Sequence, residues 1–272
     1  MFSIVMATYN RANCLPRAIR SVLNQTYKGL ELIVVDDGST DNTERVVKNF
    51  KDDRIVYFRQ PNMGVLSARN RGFDLAKGEY IALLDDDDEL IPKALETVME
   101  YFEMLAPPDI GMLWFDGINR ITVCGNDSGG ELSCRDKDIG RSGWGLDRAG
   151  FIHYEDLLYG RIKGNHWQVV KKDSLGSNRF DERLYCGEIL LWLKLLKTNS
   201  VYYVPEELRI NHLDSSNHVS GKRTMLDNLP GLILTNKEWL SMYDQRNRYY
   251  YKRLAILRLY QVLKATEFVW KR

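Results

Sequence analysis

Paired cysteines, long apolar runs and a surplus of either charge are all missing from this 272-residue sequence. Its four cysteines, Cys14, Cys124, Cys134 and Cys186, form no CxxC pair, so the usual zinc and dithiol spacings are absent. A chain of this length can bury a sizeable core without cross-links, and a reducing compartment is expected. No stretch offers the ~20 apolar residues that a membrane-spanning helix needs. MFSIVMATYNR lacks a basic n-region, and its apolar run is too short for a signal peptide. A cytoplasmic protein, or one peripheral to the cytoplasmic face of a membrane, is therefore expected. The 38 Lys and Arg nearly cancel the 37 Asp and Glu, so no global basic field argues for nucleic acid as a partner. GxGxxG and GxxxxGK(S/T) are absent too, which supports neither a dinucleotide fingerprint nor a P-loop.

What is present begins with regular alternation. Apolar runs at 2–7, 30–39, 54–60 and 80–86 read as strands. Helical spacing fills 14–26, 40–50 and 65–78, the last closed by Gly78. Strands that are continuous apolar runs, alternating with helices, predict an α/β fold with a mostly parallel, Rossmann-like sheet covered on both faces. Ligands of such sheets bind beyond the carboxyl ends of the strands. The polar clusters TYNR, DDGSTD and DDDDE all fall at such ends.

After Pro92 the pattern changes. Residues 93–105 form a helix stopped by Pro107 and Pro108. Residues 109–163 mix a strand, GMLWFDGI, with a Gly- and Asp-rich loop, CGNDSGGELSC, and an aromatic segment. Strands are expected at 166–172 and 201–211, and an apolar helix at 188–198. The predicted organisation is a first half at 1–105, a second half of the same domain at 106–225, and a helical tail at 226–272. Residues 245–272 carry eight Lys/Arg against one Glu. Ala255, Ile256, Leu259, Val262, Leu263 and Trp270 make an apolar stripe there. Such a helix can lie on an anionic membrane or pack on protein.

Two acidic clusters carry the chemistry. Asp85, Asp86, Asp87, Asp88 and Glu89 would repel one another unless something offsets their charge. A solvated turn capping the next helix is one reading. A hard cation, Mg²⁺ or Mn²⁺, held by one or two carboxylates and completed by substrate phosphates, is the sharper one. Asp36 and Asp37 end an earlier strand, where a carboxylate can accept from ribose hydroxyls or a base N–H. Turn capping explains DDGSTD as well.

VMATYNR, VVDDGSTDNT and NMGVLSARNRGFDLAKGEYIALLDDDD, in that order and spacing, closely resemble the inverting family 2 glycosyltransferases. The resemblance is strong over about 2–105. It implies a GT-A fold with a mixed-sheet acceptor half, a nucleotide-sugar donor, UDP above others, and a glycan or lipid-linked acceptor. By the same resemblance, Ala7, Thr8 and Tyr9 line the nucleobase pocket and Asp36 reads the base. Arg69 lies near the donor, Asp86 approaches the ribose, and Asp87 is the main metal ligand with Asp85 opening the motif.

The family's catalytic base precedes an apolar helix, usually as Glu-Asp. Aligning LWLKL at 191–195 puts Gly187 and Glu188 at that pair, so Glu188 is the candidate base. Asp181 and Glu182 are its rivals, and capping the helix is its alternative role. His212 is a candidate third metal ligand, with His218 as competitor. His166 and Trp167 are candidate acceptor-cleft residues, since an aromatic face suits a sugar ring. The alternatives are a sugar-nucleotidyltransferase, whose Gly-rich Arg-containing first loop is missing, and a non-catalytic binding relative.

Overall fold

The computed structural model describes residues 1–105, 110–126, 132–144, 146–185, 187–213, 228–244 and 248–270. The first ninety residues alternate as expected. β1 (Phe2–Thr8), β2 (Leu30–Asp36), β3 (Ile55–Arg59) and β4 (Tyr80–Leu83) are separated by α1 (Leu15–Leu23), α2 (Thr43–Asn49) and α3 (Val65–Leu75). β1 pairs in parallel with β2 and β4, and β2 with β3. Ile4, Val5, Met6, Leu32, Ile33, Val34 and Val35 are all buried, because helices cover both faces of the sheet.

Several predicted ends move inward. β2 stops at Asp36 and β4 at Leu83, so the acidic residues after each belong to loops. α3 ends at Leu75 rather than at Gly78. Gly78 answers a different need. A Cβ there would lie 2.6 Å from the Ser3 nitrogen and 2.7 Å from the Met1 oxygen, both backbone atoms of the adjoining β1 edge.

Beyond the short β5 (Glu89–Leu90), α4 (Ala94–Met104) leads into β6 (Ile110–Asn126) and β7 (Leu132–Arg141). These two pair antiparallel from Ile118–Arg141 out to Asn126–Leu132. Much of the segment read as a Gly- and Asp-rich loop is therefore a long hairpin. Short β8 (Gly143–Trp144), β9 (Gly150–Ile152), α5 (Tyr154–Leu158) and β10 (Lys163–Gly164) follow. Then come β11 (Trp167–Lys171), α6 (Lys172–Leu175), α7 (Glu188–Leu196) and β12 (Ser200–His212). The sheet order is β3-β2-β1-β4-β11-β6-β12-β5, with β7 on β6 and β9 on β12. β11 is antiparallel to β4 and β6, which makes the sheet mixed.

The structure divides the chain differently from the three parts read in the sequence. Residues 1–177 and 195–215 form one compact unit, so the expected halves at 105/106 share one sheet. Residues 178–194 join 216–272 in a second unit. In that unit α8 (Leu229–Ser241) and α9 (Arg248–Trp270) pack together. Arg253 lies 4.4 Å over the Trp239 ring, and Leu257 is buried. Of the expected apolar stripe, Ala255 and Leu259 are exposed, so the face that packs is offset from it. The side chains of Val262, Leu263 and Trp270 lie outside the description. Tyr185 N donates to Thr235 Oγ1 (3.3 Å), and that hydroxyl donates to the Tyr185 carbonyl (2.9 Å). This ties the segment before α7 to α8.

Gly78→Ala should destabilise the chain by on the order of 1–3 kcal/mol, because backbone cannot move aside as a side-chain tip can. Urea unfolding of the variant checks this, and an unchanged midpoint would contradict the close approach.

Candidate active site

Three loops meet at the carboxyl ends of β1, β2 and β4. The β1 loop is fixed by Asn10, whose φ of 54° places it in the left-handed region that Asn tolerates better than most residues. Its side-chain oxygen accepts from Thr40 N (2.7 Å) and Asp41 N (3.3 Å), and its own N–H donates to Ser39 Oγ (2.9 Å). Arg11 N reaches Thr43 Oγ1 at 3.3 Å, and Ala12 N reaches Asp41 Oδ2 at 3.1 Å. TYNR is thereby laced to DGSTDNT. Of the expected nucleobase residues, Tyr9 is 46% exposed, Ala7 is half-buried and Thr8 is buried with its hydroxyl facing Asp86.

Asp36 is wholly enclosed. It accepts from Ser39 N (2.7 Å) and from Tyr57 OH (2.7 Å), and Arg59 stands 3.8 Å away. Burial and this bond raise the Tyr57 hydroxyl well above the usual phenol range. Asp37 accepts from Gln60 Nε2, Met63 N and Gly64 N at 2.8–2.9 Å. Both carboxylates thus shape the loops at this edge, and each oxygen of Asp36 retains capacity for a second donor.

The acidic run turns immediately after β4, with Asp88 N donating to Asp85 O at 3.1 Å. Its charge is offset by arginines from four places in the sequence, and His212 adds a hydrogen-bond contact. Arg11 Nη1 meets Asp87 Oδ2 at 3.1 Å, and Arg69 Nη2 meets Asp85 Oδ1 at 2.7 Å. Arg17 donates to the Asp87 carbonyl (2.9 Å) and lies 3.6 Å from Glu89. Arg209 lies 3.7 Å from Asp88, and His212 Nε2 is 2.7 Å from Glu89 Oε1. Burial works to raise Asp85, but Arg69, Arg209 and Arg11 outweigh it and hold that carboxyl below its usual range. Asp86 has no such neighbour in contact. Burial pushes it up to about 7 against the Thr8 hydroxyl and Arg11, which lower it, with Asp87 and Asp85 adding to the push.

The structure brings Asp85, Asp86, Asp87, Arg69 and His212 together at this turn. Sequence reading missed Arg11, Arg17 and Arg209 as their partners. Arg11 stands inside the quoted TYNR, but its pairing with Asp87 spans 76 positions and leaves no local signal. His218 lies outside the described residues.

The acceptor-cleft expectation for His166 and Trp167 is corrected. His166 is 2% exposed and bridges Asp116 Oδ1 and the Lys163 carbonyl, both at 3.1 Å. Tyr203 OH donates to the other oxygen of Asp116 at 2.8 Å. Trp167 is fully buried, and its indole N–H donates to Leu83 O at 2.8 Å. Both rings are interior because their polar atoms and faces are already engaged. Trp167 holds the end of β4 from which the acidic run departs.

In the second unit, Glu188 is the first residue of α7 and is half-buried. Its rival Asp181 is held by Arg183, whose hydrogen bonds lower that carboxyl and weaken it as a base. Glu182 is exposed.

Among the described residues no group of three or more His, Cys, Asp or Glu is arranged to hold a metal ion. A closed protein cage is therefore not formed. The donor set still suits a hard cation bound by one or two carboxylates and completed by phosphate oxygens. Asp85 and Asp87 supply the carboxylates. Around them the buried Nε of Arg209 and Nδ1 of His212 lack hydrogen-bond partners, which marks a site not filled by protein alone.

The raised Asp86 carboxyl has a consequence for stability. Unfolded, it ionises near pH ~4. Folded, it ionises near 7, so the folded chain keeps the proton longer. Its contribution is complete below about pH 4 and is lost as the pH rises through about 7. Asp86→Asn should therefore melt higher than the parent at about pH 8, by roughly 5 °C or more, with the gap closing toward pH ~4. Thermal unfolding across that range in metal-free buffer checks it, and parallel profiles for the two proteins would refute it.

The sequence profile of Glycosyl transferase family 2 matches residues 3–110. The chain is 37% identical over 213 residues to a Campylobacter jejuni GalNAc(5)-diNAcBac-PP-undecaprenol beta-1,3-glucosyltransferase, covering 76% of this chain and 63% of that protein. It is 34% identical over 213 residues to an uncharacterized glycosyltransferase of Rickettsia typhi, covering 76% of this chain and 62% of the relative. The chain thus spans somewhat under two thirds of these relatives. Among solved structures, S. aureus TarS 1-349 in complex with UDP superposes with a TM-score of 0.64 at 18% identity, over 94% of this chain and 70% of TarS 1-349. Mannosyltransferase PcManGT from Pyrobaculum calidifontis, in complex with GDP-Man and Mn2+, gives 0.58 at 15% identity, over 95% of this chain and 69% of that one. These likenesses establish the shared GT-A fold. The domain matched at 3–110, with its three loops at the carboxyl ends of β1, β2 and β4, makes this chain a member of the family 2 glycosyltransferases.

Proposed function

We propose that this chain moves a sugar from a UDP-sugar to a hydroxyl of a lipid-linked glycan, with inversion at the anomeric carbon. The observation that carries this is the acidic turn after β4, set beside the TYNR and DDGS loops within a family 2 domain. The lipid-linked acceptor is drawn from the Campylobacter relative, whose name specifies an undecaprenol-linked substrate. The UDP donor rests on the family resemblance of the motifs.

In this reading Ala7, Thr8 and Tyr9 receive the base, Asp36 accepts from it, and Asp86 accepts from the ribose. Asp87 and Asp85 would hold Mn²⁺ or Mg²⁺, which stabilises negative charge developing on the leaving nucleoside diphosphate. Arg69 orients the donor from α3. Glu188 takes the proton from the attacking hydroxyl, while holding the two substrates together contributes through proximity. Asp181 is the poorer base because Arg183 already stabilises its charge.

No helix among the described residues is long and apolar enough to cross a membrane. A peripheral approach to a lipid-linked acceptor would use the basic tail, where Lys252 and Arg258 are exposed beside Ala255 and Leu259.

Glu188→Gln should lower kcat by about 10²–10⁴ while leaving UDP binding unchanged. Transfer of radiolabelled sugar to a polyprenyl-diphosphate glycan, with UDP titrated in parallel, measures both. Retained turnover would move the base elsewhere. A panel of UDP- and GDP-sugars with Mn²⁺ or Mg²⁺ decides the donor, and hydrolysis or transfer from GDP-sugars alone would overturn the UDP assignment.

A further inference from the structure

Arg11 has no part in the reading above, yet it occupies the carboxylate on which that reading depends most. Its guanidinium and the Asp87 side chain are only 13% and 11% exposed, and they meet at 3.1 Å. Arg69 stands in the same relation to Asp85 at 2.7 Å. Each carboxylate assigned to a cation is therefore already paired with a protein cation in the ligand-free chain.

The two cannot share an oxygen freely. A hard divalent ion needs carboxylate oxygens at close to 2 Å, and a guanidinium beside it would face like charge. Moving Arg11 off Asp87 without a substitute would take from a largely enclosed guanidinium the carboxylate it touches, which is costly even with Asp86 nearby. A diphosphate removes that cost. Its oxygens match the guanidinium fork and accept charge-assisted, bidentate hydrogen bonds. Arg11 is also well placed to turn without being lost from the site. Its backbone N–H is fixed to Thr43 Oγ1 (3.3 Å), and the preceding Asn10 is locked to the β2 loop, so only the side chain need move. Arg17 would not follow, since it grips the Asp87 carbonyl (2.9 Å) and holds the turn's backbone in place. The unpartnered Nε of Arg209, 3.7 Å from Asp88, shows that the enclosed polar groups here remain short of acceptors.

We propose that Arg11 is a diphosphate-binding residue that serves as the counterion of Asp87 until the donor arrives, and then passes from the carboxylate to the donor's phosphates. This rests on the nucleotide-sugar reading of the site. It makes cation and nucleotide interdependent: each binds poorly alone, and each improves the other by the same factor, as linkage requires.

The test uses the full chain, with Mn²⁺ alone, UDP alone and the two together as probes. Calorimetry gives affinities, and the Mn²⁺-dependent shift of the melting temperature gives a readout independent of turnover. In the parent, UDP should tighten Mn²⁺ binding by about tenfold or more. Arg11→Met should bind Mn²⁺ alone about fivefold more tightly than the parent, bind Mn²⁺·UDP more weakly, and show a smaller coupling factor, the remainder coming from phosphate oxygens on the ion. Without Mn²⁺ that variant should melt below the parent, and Mn²⁺ should recover more of the loss than it adds to the parent. Arg11→Lys should keep part of the coupling. Arg69→Met gives the same comparison at Asp85 if the Arg11 variant does not fold. Unchanged or weaker Mn²⁺ binding by a folded Arg11→Met, with normal coupling in the parent, would overturn the exchange and leave the transferase reading intact. A parent that binds neither UDP nor Mn²⁺ together with UDP would overturn both.

Discussion

Five carboxylates within five consecutive residues are the constraint around which the first unit is organised. Concentrated negative charge at the end of a buried strand is costly unless it is matched nearby. Here the match comes from the β1 loop, α1, α3 and the end of β12, through Arg11, Arg17, Arg69, Arg209 and His212. These side chains are separated by up to about two hundred positions and meet only once the sheet has formed. Burial competes with these pairs, and at Asp88 it wins, pushing that carboxyl up to about 8 despite Arg209. Asp85 is held down by its arginine neighbours, and Asp86, without one in contact, is pushed up. Adjacent residues of one type thus acquire different acid strengths from their contacts alone.

Much of the first ninety residues was legible in the sequence, for a physical reason. Strands buried on both faces must be continuous apolar runs, and the helices between them must show one apolar side. β1 to β4 obey this, and their order and parallel pairing follow. The ends were less legible. Asp37 and Asp85 continue the strand in text but leave it in space, where loop N–H groups hold the Asp37 carboxylate and Arg69 holds that of Asp85. Residues 109–163 were poorly read because the outer half of the β6–β7 hairpin is exposed. Its Arg, Asp and Thr side chains bond across the strands, as in Arg120 with Asp138 and Thr122 with Asp136. Composition there resembles a loop although the backbone is paired throughout the described part.

The candidate site shows the same division. The carboxylates and His212 were visible as residue types at strand ends, and Arg69, on α3, through the family resemblance. The arginine partners were not, since nothing local distinguishes an ion-pairing arginine from a solvated one. His166 and Trp167 show the opposite error. Aromatic and imidazole groups near a site suggest ligand contact, yet here Asp116, Tyr203 and the Leu83 carbonyl satisfy them inside the core. Glu188 was proposed from its distance to the LWLKL helix, and it stands at the head of α7, a position that a helix-capping acid would also take.

The sheet order carries one more consequence. β5 follows β4 directly in sequence but stands four places from it in the sheet. On a flat sheet that separation is about 19 Å. The six residues from Leu83 to Glu89 could cover it only when almost fully extended, at about 20 Å. They are not extended, because Asp88 N turns back to Asp85 O. The far edge must therefore curl toward β4, and the irregular register of β12 between Val204 and Arg209 supplies the bend. The acidic run is in this sense a short tether between β4 and β5. It draws the last strands over the end of the first ones, and any change in its length or conformation is passed directly to the curvature of β12.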